Sequence, residues 1–144
     1  MSASGRAART GSFAAFVGAR ADLDTLLEPI LRRLYAVAEQ RSCAQLYVLS
    51  IVALTFSHDA GFCDDAFARV TLPAPPAWYR ERVLRGVNLG SLCVLCALRC
   101  VVFSVRALRD GYLASNVFAI LLNLSPHARD VHEYARLRCR GRRG

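Results

Sequence analysis

Lysine is absent. All 19 basic residues are arginine, and against 11 acidic residues they leave a net charge of +8. Arginine without lysine, in an alanine-rich chain, reads as the composition of a GC-rich genome. A selected phosphate-binding surface more often mixes the two. The surplus charge still attracts acidic partners, RNA or anionic lipid, which keeps nucleic-acid binding as a secondary reading. Several catalytic signatures are also missing: there is no phosphate-binding P-loop, no glycine-rich dinucleotide loop and no paired-histidine zinc motif. Asp64-Asp65 has no second acidic cluster to complete a cation site. Nothing positive supports nucleophilic catalysis, so the reading is a non-enzyme that needs no cofactor and no metal. Residues 1–12 are small and polar, unlike the apolar core of a secretory leader. The six cysteines are therefore expected as reduced thiols rather than a disulfide framework.

What is abundant is apolar side chain. Hydrophobic residues make up 54% of the 144 positions, enough for a single domain with a sizeable core. So high a fraction leaves room for an exposed apolar groove or an oligomer interface. The densest stretch runs from Leu92 to Val105, where only Arg99 and Ser104 are clearly polar. A helix apolar on nearly every side belongs inside a domain or inside a membrane. A bilayer span needs about 20 such residues. An arginine near its centre costs roughly 2.5 to 3.5 kcal/mol. With Arg99 mid-stretch and Arg106 soon after, the expected element is the central helix of a water-exposed bundle, from Ser91 to Leu108, without a transmembrane anchor. Asn88 or Ser91 would cap its start. Cys93, Cys96 and Cys100 recur at i, i+3 and i+7, one face of that helix, and read as small core residues rather than zinc ligands.

The remaining elements follow from periodicity and punctuation. Residues 1–19 read as a tail, with a short helical turn from Ser12 to Ala19; residues 20–138 form the domain, and 139–144 a basic C-terminal tail. A first helix carries the stripe Leu23, Leu26, Leu27, Ile30, Leu31 and Leu34, with Pro29 forcing a start near Glu28 or a kink. A second helix spans Ser42 to His58, burying Leu46, Leu49, Val52, Ala53 and Phe56, and ends at Ala60-Gly61. A short amphipathic piece, Phe62 to Val70, precedes the proline-rich connector Thr71 to Pro76, which is read as a spacer. Ala77 to Arg85 is expected as a further helix anchored by Trp78. Tyr112 to Leu124 is the second arm of an apolar hairpin, and Ser125-Pro126 begins a last helix. The fold class is all-α.

The hinge before the central helix reads Gly86-Val87-Asn88-Leu89-Gly90-Ser91. It resembles the G-V-N-W-G-R motif of Bcl-two family apoptosis regulators, which stands before the same kind of helix; four of its six positions match. The size, composition and apolar helices are similar to divergent viral, herpesvirus-like members. The resemblance implies a Bcl-two-like bundle around a central apolar hairpin, and an anti-apoptotic protein of the host cytoplasm, peripheral at mitochondria. Such a protein holds the amphipathic death-motif helices of pro-apoptotic host proteins in a hydrophobic groove. The groove residues would be Phe56, Phe62, Phe67, Val70, Leu84, Arg85, Val87, Asn88, Gly90, Ser91 and Val94. Gly90 would admit the ligand backbone and Asn88 would bond its polar edge. Ser91 lacks the charge of the motif arginine, so narrower or weaker ligand binding is expected unless Arg85 or Arg82 substitutes. A homodimer through the same surface, and a basic helical adaptor for nucleic acid or a viral or host protein, are the competing readings.

Overall fold

A computed structural model of the chain describes residues 23–40, 43–68 and 71–141, all-helical apart from turns and loops. The tail at 1–19, Val70, and residues 142–144 of the basic tail lie outside the described residues. Six α-helices follow in order: α1 Leu23–Gln40, α2 Cys43–Ser57, α3 Ala60–Ala68, α4 Leu89–Phe103, α5 Gly111–Leu124 and α6 Glu133–Arg140. A π-helical turn, Ser104–Leu108, prolongs α4, and a 3-10 turn, Ser125–His127, prolongs α5.

In α1 the stripe Leu23, Leu27, Leu31, Leu34 and Tyr35 faces inward at helical spacing. Pro29 neither delays the helix nor ends it; it sits in the second turn on the exposed side. Leu26 points outward, 41% exposed. The second helix is apolar on all sides, so its pattern does not select a buried face. Only Leu46, Ser50 and Ser57 are fully covered, while Val48 and Ile51 stand in solvent. Ala60-Gly61 does not close this helix. Asp59 accepts the Phe62 N–H at 2.8 Å and starts α3, which leaves α2 at 93°.

The helix expected at 77–85 does not form. Residues 71–88 make a loop closed at its neck, where Leu72 N–H donates to Val87 O at 3.0 Å and Thr71 bridges Asn88. Side chains hold its backbone away from helix. Trp78 Nε1 donates to Glu28 Oε1 at 2.6 Å, and Arg80 N–H donates to Tyr35 Oη at 3.2 Å. Tyr79, Leu84 and Val87 turn inward.

The central helix forms as expected, two residues earlier, with Asn88 as its N-cap. By length and composition Leu89–Leu108 is the one described helix that could cross a membrane. Here α1, α3, α5 and α6 pack around it, and Leu89, Leu92, Leu95, Cys96 and Cys100 are essentially fully covered. Asp110 caps α5 through the Leu113 N–H at 3.0 Å. The last helix does not run on from Pro126. That residue opens only the 3-10 turn, the backbone reverses at Asp130 with φ 47°, and α6 starts after His132.

Candidate functional site

Three places in this bundle gather polar chemistry or exposed apolar surface. The first is the hinge. Asn88 is 5% exposed and fully engaged. Its Oδ1 accepts the Ser91 N–H at 2.8 Å, and its Nδ2 donates to Phe67 O at 3.2 Å and Asp130 O at 3.1 Å. Ser91 is buried too, and its Oγ accepts the His132 N–H at 2.9 Å. The pair therefore ties the end of α3 and the chain before α6 to the start of α4. Gly90 is packed beneath the Phe67 ring: a Cβ there would lie 2.5 Å from a ring carbon.

The structure thus buries most of the described groove residues inside the molecule. Phe62, Phe67, Leu84, Val87 and Val94 are core, and Phe56 stacks on Phe62 with ring centroids 5.1 Å apart. The close approach at Gly90 and the polar edge at Asn88 are satisfied by the chain's own Phe67 and Asp130, so no trough remains beside them. Arg85 stays at the surface; its carbonyl meets His132 Nε2 at 3.2 Å. Arg82 lies over the Tyr134 ring, 5.4 Å from its centroid, not at the hinge.

The second place centres on Arg99. Its guanidinium donates to Glu81 Oε1 at 2.6 Å and Glu39 Oε1 at 3.1 Å, and lies over the Tyr35 ring at 4.1 Å. Glu81 Oε2 accepts Tyr79 Oη–H at 3.0 Å. Burial opposes ionisation of Glu81. The hydrogen bonds from Arg99 and Tyr79 and the nearby Arg138 outweigh it and hold the carboxyl below its ordinary 4.5. Burial, then the neighbouring Glu81 charge, pushes the Tyr79 hydroxyl far up. This cluster was missed from sequence. Its signal was the lone arginine in the apolar helix, which identifies a buried charge but not its partners.

The third is an apolar outer face. Helices α2 and α5 lie side by side and parallel: Tyr47 stacks with Tyr112 at one end, and Asn123 Nδ2 donates to Ser57 Oγ at 3.0 Å at the other. On them Val48 (62%), Ile51 (48%), Phe118 (50%) and Leu122 (71%) are exposed. The buried thiols are not reactive centres. Burial raises Cys63 to about 11, helped by Asp59 and Asp64, and raises Cys93 and Cys100 to about 12. Among the described residues no His, Cys, Asp and Glu group could hold a metal ion.

Comparison with known proteins bears directly on the assignment. A family model described as "Dymeclin: Dyggve-Melchior-Clausen syndrome protein" matches residues 9–138. Dymeclin of Xenopus laevis is 39% identical over 120 residues, 83% of this chain and 18% of the relative. Dymeclin of Gallus gallus is 37% identical over 127 residues, 88% of this chain and 18% of the relative. Dymeclin of Drosophila melanogaster is 33% identical over 126 residues, again 88% and 18%. The chain thus spans about 18% of the length of these relatives. No solved structure matches.

These matches cover most of the chain, whereas the Bcl-two resemblance was specific over six residues. They overturn the viral apoptosis-regulator reading, its pro-apoptotic partners and its death-motif ligands. The basic-adaptor alternative finds no support either. In this chain the G-V-N-x-G stretch makes a capped helix start under a close contact. With the family model matching residues 9–138 and relatives 33–39% identical over most of its length, the chain belongs to the Dymeclin family.

Proposed function

We propose that the chain is a non-catalytic helical packing segment, and that the outer face of α2 and α5 is an interface covered by another part of a Dymeclin-length protein. One observation carries this: Val48, Ile51, Phe118 and Leu122 stand about half or more exposed on two adjoining helices. Covering each is worth roughly 1 kcal/mol or more at about 25 cal/mol per Å². The occupant is argued from length. In Dymeclin of Gallus gallus the matched part is 18% of the protein, so most of that chain is available to lie against this face. Non-enzymatic work is supported by the raised thiols and by a polar hinge whose groups are spent on the fold. A reducing cytoplasmic setting is part of the same proposal. It is supported by six free cysteines, four of them buried. The mitochondrial site had no support apart from the Bcl-two resemblance.

The test is association in trans. Gallus gallus Dymeclin lacking its matched segment is mixed with this chain and followed by sedimentation. A complex is expected, and Phe118→Glu with Leu122→Glu is expected to abolish it while leaving the circular dichroism unchanged. No complex, or one indifferent to the double substitution, overturns the proposal. So does a homodimer of the wild-type chain that the same substitutions dissolve, since the occupant would then be a second copy.

A further inference from the structure

Arginine side chains gather at the pocket between the end of α4, its π turn and α6. The pocket has a volume of about 270 Å³ and is lined by Arg99, Arg106, Arg138 and Glu81, against Val102 and Phe103. Arg99 is held rigidly by Glu81, Glu39 and the Tyr35 ring, yet its Nε is buried without a partner among the described residues. Arg138 reaches Glu81 only at 3.8 Å. No carboxylate among the described residues lies within ion-pair distance of Arg106. Glu81 offsets part of this charge, with its oxygens on Arg99 at 2.6 Å and Tyr79 at 3.0 Å. Three guanidinium groups thus stand against the two carboxylates Glu81 and Glu39. Arg106 has no carboxylate partner among the described residues, and Arg138 holds Glu81 only at 3.8 Å.

The backbone beside the pocket is unusual as well. The π turn closes with Arg109 N–H on Ser104 O, and Asp110 N–H reaches the same carbonyl at 3.0 Å. Turns of this kind are rare and gather at functional sites. This one carries Arg106, two turns along from Arg99.

We propose that this pocket binds a small free phosphate-bearing anion. The forks of Arg106 and Arg138 would each take phosphate oxygens in the paired geometry guanidinium favours. Arg99 adds fixed positive charge, and Val102 and Phe103 provide a wall for a short organic substituent. The volume lies at the lower end of the ~300–1,000 Å³ typical of drug-sized ligands, which suits inorganic phosphate or a glycerol phosphate.

The experiment is thermal denaturation of the chain titrated with inorganic phosphate and with glycerol phosphate, against chloride at matched ionic strength. A saturating rise in melting temperature is expected. Arg106→Gln, a change at an exposed residue, is expected to weaken the apparent affinity at least tenfold, and Arg138→Gln to act in the same direction. Arg136→Gln removes the same charge from α6 outside the pocket lining and is expected to change nothing. The proposal is overturned if phosphate has no saturable effect on the wild type. It is also overturned if Arg136→Gln loses as much as Arg106→Gln, because diffuse attraction to a basic chain would then explain the binding. Vesicles of phosphatidylcholine with phosphatidate separate the other source of phosphate: binding to these alone, without a response to free phosphate, overturns the free-anion assignment.

Discussion

Gly90 leaves no room for a side chain, because the Phe67 ring occupies the space one would need. Gly90→Ala should therefore destabilise by about 1 to 3 kcal/mol, the usual cost of overpacking a core. Phe67→Leu in the same chain should recover part of it, which a double-mutant cycle by urea denaturation will measure. Asn88 has more at stake. Replacing it with alanine removes a helix cap worth about 1 kcal/mol. It also strands the Phe67 and Asp130 carbonyls, at roughly 1 kcal/mol or more for each buried acceptor left unpaired. A loss of at least about 2 kcal/mol is expected by the same assay. The identity of these residues was legible, since Asn88 was expected to cap and Gly90 to admit a close neighbour. What they serve was not. A glycine that yields space to a ligand and one that yields it to the chain's own phenylalanine look the same in sequence, and the phenylalanine stands 23 residues away.

At the scale of the helix, α1, α4 and α5 were readable because their apolar pattern is long, and Asn88 and Asp110 mark the starts of α4 and α5. The second helix was readable as a helix but not in its orientation, since apolar residues on all sides leave nothing to choose between faces. The stretch at 77–85 was misread because local preference lost to distant partners: Glu28 and Tyr35, both on α1, hold Trp78 and Arg80. The central helix also makes a prediction about its cysteines. Cys93, Cys96 and Cys100 are buried there, as is Cys63 on α3, whereas Cys43 and Cys139 are exposed. A thiol reagent at neutral pH should modify only Cys43 and Cys139 in the native chain, and the other four should react only on unfolding. Burial raises the Cys139 thiol and should slow its reaction. Mass spectrometry of the labelled peptides will read which thiols react.

For the whole molecule, the Glu81 carboxylate couples folding to pH. Its folded value lies below the ordinary 4.5, so its stabilisation is fully present above that value and fades as pH falls through the lower one. Glu81→Gln should lower the melting temperature at neutral pH and flatten its fall below about pH 4.5. The apolar face is a separate whole-molecule property. Glutamate at Phe118 and Leu122 should leave the unfolding midpoint nearly unchanged, within about 0.5 kcal/mol, because neither side chain is in the core.

The pinched loop at 71–88 has one more effect. Its neck is sewn by backbone, and its tip is fastened to α1 through Trp78 and Tyr35, so either side of a break there stays anchored. Trypsin meets an exposed arginine at Arg82. A single scission at that bond should give two fragments on a denaturing gel that still elute as one particle from a sizing column, the severed halves behaving as a non-covalent heterodimer.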